Sequence, residues 1–460
     1  MAGSPWSLTF VSVGPPRRPK GLFVTDPELT ALAAEAYLYG FPLVFDLQEV
    51  GRFTERGMGS LPPAPFNVFS HAAGLAGPGD RFVSLNNDTI YSIAQIDASA
   101  GPITLHVPDT AGRYYVLQFV DAWTNNFAYV GRRATGSGAG TFLLTPPGWS
   151  GEAPAGTTRI ALPTMVASIV GRFACDGPDD LPAVGALQRQ LTLEAPAGPC
   201  AGLPLPASDP ADELLFFEQL RTWMAAFPPS AAERAYQERF KPLGLLADAP
   251  FDAAQRAALA AGLTAGRERL ESMTKGGDLA PSGWSTMAHA FDYNRDWFEV
   301  GTIDAPEWKI ADAEQAHAIR AIAARVGLWG NHAYEAYYSQ TFVDGDGDAL
   351  DGGHTYEIRF DAPPPVDAFW SLTMYDTPDY YLVANPIGRY SIGDRTRELV
   401  YAEDGSLTIV LSHEEPTDAA ARANWLPTPA GGFRPLIRLY QPRASVLDGE
   451  YALPPIRRTA

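Results

Sequence analysis

A group of polar side chains stands directly before a stretch that alternates like a β-strand, in Ser84-Leu-Asn-Asn-Asp-Thr-Ile-Tyr-Ser92. It supplies two amides, a carboxylate, a hydroxyl and a phenol within six residues: Asn86, Asn87, Asp88, Thr89 and Tyr91. Such groups could hold a polyhydroxylated or amide-bearing ligand in a loop on a rigid β scaffold. With Asp88 as base and Tyr91 as acid or hydrogen-bond donor, the loop could also act on that ligand. The alternative is an Asn/Asp turn whose side chains cap their own backbone.

A second candidate group closes a predicted strand, in Asp121-Ala-Trp-Thr-Asn125. Trp123 could stack on a sugar or planar ring, with Asp121 and Asn125 as polar neighbours. We predict that these residues and the Asn86–Tyr91 loop line one cleft. The alternatives are a turn-forming role for Asp121 and a core position for Trp123.

Two arginines and a tyrosine complete the predicted ligand-binding set. Arg132 and Arg389 each stand in the pattern Gly-Arg-x-x-x-Gly, at 131–136 and 388–393. Their planar guanidinium groups could bind an anionic ligand, or they could be salt-bridged turn residues that occur in duplicate. Tyr375 is either an aromatic wall of the site or a core residue with a polar tip.

Metal-binding patterns are weak, and we predict no metal site and no cofactor. The seven histidines form none of the short motifs that zinc sites use. Asp344, Asp346 and Asp348 have the spacing of a calcium loop, and calcium there is the alternative. Ala349 stands where that loop needs glycine, and Thr355 where it needs glutamate, so we interpret the segment as an acidic turn.

The elements that must position these residues are strands in two regions with helices between them. We predict a loose arm over 1–24, a helix and first β module over 25–205, a helical segment over 206–340, and a second β module over 341–460. The first helix begins at a capping pattern, Thr25-Asp26-Pro27, and should end near Gly40. Further helices are predicted near 210–227 (after the pattern Ser208-Asp209-Pro210), 231–241, 253–274, 312–326 and 331–340.

The two β regions resemble each other. Tyr-Tyr-Val-Leu-Gln-Phe-Val-Asp (114–121) and Phe-Trp-Ser-Leu-Thr-Met-Tyr-Asp (369–376) share two leading aromatics, a leucine and a closing aspartate. An alternating strand precedes each, at 103–107 and 356–360, and a Gly-Arg-x-x-x-Gly pattern follows each. We infer two copies of one β-sandwich unit. The loop around Asp88 has no evident counterpart in the second copy.

Several long motifs carry a resemblance to a known family: NNDTIYS, PDTAGRYYVLQFVDAWTNNFAYVGRRATG, AFWSLTMYD, NPIGRYSIGDRT, DGSLTIVL and NWLPTPAGGFRPLIRLYQPR. They resemble those of a bacterial family built from two modules, the domains of unknown function 1254 (N-terminal) and 1214 (C-terminal). The resemblance implies a pair of jelly-roll-like sandwiches with helical additions, often in exported proteins, and no settled activity.

The charge balance bears on partners. With 34 basic and 53 acidic residues the formal net charge is −19, which repels nucleic acid and anionic membranes, and we predict neither as a partner.

No apolar run in the sequence reaches the ~18 residues of a membrane-spanning helix. The basic residues near the N-terminus follow a weakly apolar stretch, the wrong order for a secretory signal, so we predict a cytoplasmic protein; the family resemblance makes a periplasmic or secreted one the alternative. Cys175 and Cys200 are either two free thiols or one bridge.

We therefore predict a mainly β protein with helical additions (α+β), in which two β-sandwich modules stand in tandem with a helical segment between them. It would bind a small polar or saccharide-like ligand and could be a hydrolase or lyase that uses carboxylate and tyrosine acid–base chemistry. A non-catalytic structural or interaction protein forming a cyclic homo-oligomer is one alternative. A metal-dependent enzyme using histidines from distant strands is the other.

Overall fold

The computed structural model describes residues 26–80, 84–206, 211–274, 279–285 and 287–459. The predicted N-terminal arm and the helix-start pattern Ser208-Asp209-Pro210 lie outside these residues. The helices in the described part of the chain are α1 (Pro27–Arg56), α2 (Leu181–Gln188), α3 (Asp212–Ala226), α4 (Ala231–Gln237), α5 (Ala253–Thr274), α6 (Ala313–Gly327), α7 (Ala419–Ala423) and α8 (Ala444–Leu447).

Helix α1 is twice as long as the sequence pattern predicts. Asp26 caps it, because its carboxylate accepts hydrogen bonds from the backbone N–H groups of Glu28 and Leu29. The predicted end at Gly40 is wrong. Gly40 instead lets α3 approach closely, since a Cβ atom there would stand 2.4 Å from the side chain of Leu220. Pro42 lies within the helix, where burial against neighbouring helices outweighs the missing N–H.

The first module contains two sheets. One has the strand order β1-β2-β8-β4-β5 and the other β7-β6-β3-β9. Their strands are β1 (Ser70–His71), β2 (Thr89–Asp97), β3 (Ile103–Val107), β4 (Tyr115–Asp121), β5 (Asn126–Gly131), β6 (Gly140–Thr145), β7 (Thr158–Ala161), β8 (Val166–Ala174) and β9 (Thr192–Glu194). All pairs are antiparallel except β6 with β7.

The second module also contains two sheets, with the orders β10-β16-β12-β13 and β15-β14-β11-β17. Their strands are β10 (Ala336–Gln340), β11 (Tyr356–Phe360), β12 (Val366–Asp376), β13 (Ser391–Gly393), β14 (Leu407–Ser412), β15 (Trp425–Pro427), β16 (Phe433–Pro442) and β17 (Ile456–Arg458). All pairs are antiparallel except β14 with β15. The helix predicted over 331–340 is wrong, because its second half is the strand β10, which joins the second module's sheet.

The strand orders confirm the internal duplication. Strands β2 to β9 correspond one by one, in chain order, to β10 to β17, and even the single parallel pair of each module falls at the same place. The repeated Gly-Arg-x-x-x-Gly pattern aligns Gly131 with Gly388. In the strand register, however, Gly131 is equivalent to Gly393. Gly131 pairs with Val116 of β4 and Gly393 with Ser371 of β12, which are equivalent positions. A Cβ atom at either glycine would meet a backbone oxygen of the neighbouring strand at 2.4 Å or 2.1 Å.

Each module buries its own core, and the two cores differ in their surroundings. In the second module the two sheets share a compact core of aliphatic and aromatic side chains. In the first module the core continues into the helical layer formed by α1, α3, α5 and α6. The fold is therefore α+β, with four mostly antiparallel sheets in two modules, as predicted. Cys175 and Cys200 are not bridged. None of the described helices combines the length and apolarity needed to cross a bilayer.

Candidate functional site

The loop before β2 contains both a turn and a contact with the second module. Asn86 Oδ1 accepts hydrogen bonds from the backbone N–H groups of Asp88 and Thr89 at 3.1 Å, which is the self-capping turn considered from the sequence. Its Nδ2 donates to the hydroxyl of Tyr91 at 2.8 Å. Asn87 Oδ1 accepts from Ser391 of β13. The amides of this loop are thus engaged within the protein.

Asp88 lies between the two modules and is only 4% exposed. Its Oδ2 accepts hydrogen bonds from Ser371 Oγ at 2.7 Å and from Tyr440 Oη at 3.1 Å. Both donors belong to the second module. Its backbone oxygen accepts from Arg395 at 2.9 Å. We call the contact between the sheet that contains β2 and β8 and the sheet that contains β10 and β16 the junction.

The second module holds the rest of the loop at the junction. Tyr375 Oη donates to the backbone oxygen of Leu85 at 2.7 Å. Arg438 donates to the backbone oxygen of Ser84 at 2.7 Å, and Arg434 donates to the Ser84 hydroxyl at 2.6 Å. Tyr375 is therefore the one residue predicted from the second module that the structure brings to the loop.

The duplication gives this loop a counterpart, which the sequence alone did not reveal. Thr89 pairs with Ala174 and Ala336 pairs with Tyr440 in the equivalent strand pairs. The residues in front of these strands, Asp88 and Glu335, are thus equivalent. So are two further pairs at the junction, Tyr91 with Tyr338 and Arg172 with Arg438. The signal was short: DTIYS at 88–92 and EAYYS at 335–339 share an acid, a tyrosine and a serine.

Each module holds the chain that enters the other. Arg172 of β8 donates to the backbone oxygen of Trp329, at 2.8 Å, just as Arg438 of β16 donates to that of Ser84. Both acceptor residues have a positive φ, 63° for Trp329 and 55° for Ser84. A backbone conformation that side chains rarely adopt is therefore held at both places by a buried guanidinium from the opposite module.

The two acids have different partners. Glu335 forms an ion pair with Arg133, 2.6 Å from Nε to Oε2, and accepts a hydrogen bond from Tyr114. Burial nevertheless raises the pKa of Glu335. Among the described residues, the carboxylate of Asp88 accepts hydrogen bonds from hydroxyl groups alone. Of the two equivalent acids, Asp88 is the one for which the described part of the chain supplies no cation on the carboxylate.

Three arginines at the junction are buried without a carboxylate partner. Arg172, Arg434 and Arg438 are 6%, 4% and 3% exposed. Within the described residues, no carboxylate oxygen lies within 4.0 Å of their nitrogens. Their hydrogen bonds go to amide, hydroxyl and backbone oxygens. Burial lowers the pKa of Arg434 to about 10, and its Nε has no hydrogen-bond partner among the residues that the structure describes.

Two tyrosine hydroxyls at the junction keep a proton to donate. Tyr91 Oη accepts from Asn86 Nδ2 at 2.8 Å, and Tyr338 Oη accepts from Asn331 Nδ2 at 2.9 Å. Neither hydroxyl donates a hydrogen bond to another described residue. Both tyrosines are partly exposed. Tyr91 and Leu85 border a cavity of about 10 Å³, room for roughly one water molecule.

The structure does not bring the second predicted group into the same cleft. Asp88 adjoins Thr89, which pairs with Ala174, whereas Asp121 pairs with Ala167 of the same strand. Seven residues of an extended strand separate these ends by roughly 23 Å.

The group around Asp121 instead forms part of the helical core. Trp123 is buried and its Nε1 donates to the backbone oxygen of Phe227 at 2.8 Å. Asp121 accepts from the backbone N–H groups of Trp123 and Asn125, and Asn125 in turn accepts from Arg320. Burial raises the pKa of Asp121 to about 6 against the lowering effect of these bonds.

The predicted arginines lie away from Asp88 and are not in equivalent positions. Arg132 is exposed just after β5 and donates to the backbone oxygen of Asp367. Arg389 lies before β13 and donates to the backbone oxygens of Ala423 and Trp425. Neither forms an ion pair with a described residue, so the salt-bridged alternative is wrong for both. The arginines that do meet at the junction, on β8 and β16, were not singled out from the sequence.

The acidic segment before β11 holds its own backbone. Asp344 Oδ1 accepts from the N–H groups of Asp346 and Asp348, both at 3.0 Å. This geometry matches the acidic turn inferred from the sequence. No group of three or more His, Cys, Asp or Glu residues in the described ranges has the arrangement of a metal site.

Comparisons with known proteins agree with this architecture. Residues 66–195 match the model of a protein family of unknown function, DUF1254, and residues 335–444 match that of DUF1214. The crystal structure of the VPA0106 protein from Vibrio parahaemolyticus is similar, with 24% identity, a TM-score of 0.69 and coverage of 94% of this chain and 100% of that one. A protein from Burkholderia cenocepacia matches at 13% identity and a TM-score of 0.43, over 94% of both chains. No curated protein matches.

Proposed function

The chain belongs to the family built from the domains DUF1254 and DUF1214, and on that premise we propose that it binds a small, anionic, polar ligand at the junction. The observation that carries this proposal is the burial of Arg172, Arg434 and Arg438 with no carboxylate of a described residue within 4.0 Å of their nitrogens. Taking a cation out of water costs several kcal/mol unless an opposite charge compensates it. An anion bound among these guanidinium groups would supply that charge.

The hydroxyl groups around Asp88 favour a ligand that also carries hydroxyl or carbonyl oxygens. Tyr91 and Tyr338 can each donate a proton, and Asp88 can accept one from a ligand hydroxyl. The saccharide-like character inferred from the sequence is therefore retained in the form of an anionic, oxygen-rich small molecule.

The acid–base proposal also retains Asp88 as base. Its carboxylate is surrounded by the neutral hydroxyls of Ser371 and Tyr440, whereas the equivalent Glu335 is bound to Arg133. A base needs a lone pair that a substrate proton can reach, and a carboxylate held by an arginine is a poorer acceptor. In a lyase reaction Asp88 would take a proton from the ligand, and in a hydrolase reaction it would take one from the attacking water; in both, Tyr91 would give a proton to the departing group.

Thermal unfolding in the presence of single compounds tests the proposal. Wild-type protein would be heated with small carboxylates, phosphate, sugar acids and the corresponding neutral sugars, at matched ionic strength. A ligand at 100 times its Kd adds about 2.7 kcal/mol to the free energy of unfolding. We expect anions to raise Tm and the neutral analogues to have little effect. The variant Asp88→Asn, in parallel, shows whether turnover of a stabilising compound depends on this carboxylate.

The exposed Arg397 provides a matched control. Its side chain is 75% exposed and pairs with Asp179 at the surface. Arg397→Met should leave the ligand-dependent rise in Tm unchanged, while Arg434→Met should reduce it. If no anion raises Tm in the wild type, the binding proposal is wrong and a non-catalytic, structural role becomes the better account.

A further inference from the structure

We propose that the ligand of the junction carries two carboxylate groups, one for each of two equivalent half-sites. The inference rests on the proposed function and deepens it. We define the first half-site as Arg172, Tyr91 and Asn86, and the second as Arg438, Tyr338 and Asn331.

The half-sites share an arginine and a tyrosine in equivalent positions and an asparagine bonded to the tyrosine, although the asparagines are not equivalent in the two modules. In each one, the tyrosine stands opposite the arginine in a paired strand, Tyr91 opposite Arg172 and Tyr338 opposite Arg438. The guanidinium carbon of Arg172 lies 5.5 Å from the ring centroid of Tyr91. In each half-site, an asparagine amide donates a hydrogen bond to the tyrosine hydroxyl oxygen. The hydroxyl proton therefore points away from the asparagine and is free to donate to a ligand.

A guanidinium and a free hydroxyl proton are a fitting donor set for one carboxylate. A carboxylate accepts several hydrogen bonds in one plane, and arginine presents its N–H groups in a planar fork. Each guanidinium already donates three hydrogen bonds within the protein, Arg172 to Gln118, Val170 and Trp329, and Arg438 to Thr373, Ser84 and Tyr375. Two of the five N–H groups of each arginine therefore remain for a ligand. The tyrosine proton, which has no acceptor in the described structure, can form a further hydrogen bond to the ligand. That bond is stronger with a carboxylate than with a neutral ligand group.

The half-sites lie close together at the junction. Tyr91 and Tyr338 pack against the same cluster of buried side chains, which includes Leu85 from the first module and Leu436 from the second. A ligand placed against this cluster would face both half-sites.

The charge of the junction agrees with an anionic ligand. The guanidinium groups of Arg172, Arg434 and Arg438 outnumber the nearby carboxylates of Asp88 and Asp376, since Glu335 is neutralised by Arg133. An anion compensates the remaining positive charge. The number of carboxylates on the ligand is inferred from the half-sites, one carboxylate for each.

Calorimetric titration of the full-length protein distinguishes the possibilities. The titrants are succinate, glutarate and adipate, their monocarboxylate counterparts butyrate, valerate and hexanoate, and inorganic phosphate. We expect one dicarboxylate length to bind at least about tenfold more tightly than its monocarboxylate and than phosphate, because a second charged hydrogen-bonded group is gained.

Two conservative variants test the half-sites separately. Tyr91→Phe and Tyr338→Phe each remove one hydroxyl, and each should weaken dicarboxylate binding by about tenfold. Tyr337→Phe is the matched control, because Tyr337 neighbours Tyr338 on β10 but packs against the core of the second module. It should bind as the wild type does.

The outcomes separate this inference from the proposed function. Equal affinity for dicarboxylates and monocarboxylates would contradict a ligand with two carboxylates but not anion binding. The same conclusion would follow if only one of the two tyrosine variants bound dicarboxylates more weakly, or if phosphate bound more tightly than every dicarboxylate. Binding of none of these anions by folded wild type overturns both.

Discussion

Asp88 Oδ2 accepts a 2.7 Å hydrogen bond from Ser371 Oγ across the junction, so a residue in front of the first module's sheet is held by a strand of the second. The two residues are 283 positions apart in the chain. The bond makes the predicted catalytic carboxylate part of the interface between the modules, and it couples the candidate site to their docking.

We predict that Asp88 and Ser371 are energetically coupled. Hydrogen bonds to a charged group contribute about 1.5–3 kcal/mol, and much of that should be lost in Asp88→Asn and in Ser371→Ala. Urea unfolding of both variants and of the double variant gives the coupling energy, which should be about 1 kcal/mol. Strictly additive losses would show that the two side chains do not interact in solution.

The variant Arg434→Met should be almost as stable as the wild type without ligand. The guanidinium is buried, and within the described ranges its Nε has no hydrogen-bond partner and no carboxylate oxygen lies within 4.0 Å of its nitrogens. Replacement of such a group by an apolar side chain of similar length often costs little or stabilises. Urea unfolding should give a free energy within about 1 kcal/mol of the wild type. A loss well beyond that would mean that its bonds to Gln340 and Ser84 hold the junction together.

The two equivalent glycines should respond alike to alanine. A Cβ atom would stand 2.4 Å from Tyr115 O at Gly131 and 2.1 Å from Trp370 O at Gly393, so a strand must move in either case. We expect a loss of about 2–3 kcal/mol for each, by thermal or urea unfolding. Gly138→Ala is the control, since nothing lies within 4 Å of a Cβ atom there. A mild effect at only one glycine would contradict their equivalence.

Asp121 should make the protein lose stability as the pH rises from about 4 to about 6. Burial raises the pKa of its carboxyl from 3.8 to about 6, so the folded state binds the proton more tightly than the unfolded state does. The stabilisation is complete below pH 3.8 and is lost as the pH rises through 6, a change of about 3 kcal/mol. Asp121→Asn should remove this part of the pH dependence.

Urea unfolding at half-unit pH steps measures the effect as the difference between wild type and variant. The exposed Asp109 supplies the control variant Asp109→Asn. If the stability of Asp121→Asn followed the wild-type curve across this range, the carboxyl would not be protonated in the folded protein.

Local patterns in the sequence predicted most of the strands and several helices. Alternation located β3 and β11, and the repeated aromatic segments located β4 and β12. The sequence patterns gave the wrong helix end or the wrong type of element where tertiary packing decides the structure. Helix α1 continues through Gly40 because α3 packs against that glycine. The segment around β10 contains alanine and glutamate, which favour helix, yet it pairs with β16.

The candidate site was only partly predictable. The sequence singled out Asp88 and Tyr91, which lie at the junction. It placed Trp123 beside them, although an entire strand length separates the two groups. The buried arginines escaped notice because they are scattered among mostly apolar residues of β8 and β16, and only the register of β2 with β8 and of β10 with β16 aligns Arg172 with Tyr91 and Arg438 with Tyr338.

The most direct test of anion binding at the junction is diffraction from crystals soaked in sodium bromide. Bromide scatters anomalously and binds at sites where guanidinium or hydroxyl groups can donate hydrogen bonds to an anion. We predict an anomalous peak within hydrogen-bonding distance of Arg172 or Arg438, bordered by Tyr91 or Tyr338. Peaks confined to the protein surface, with none at the junction, would contradict the account.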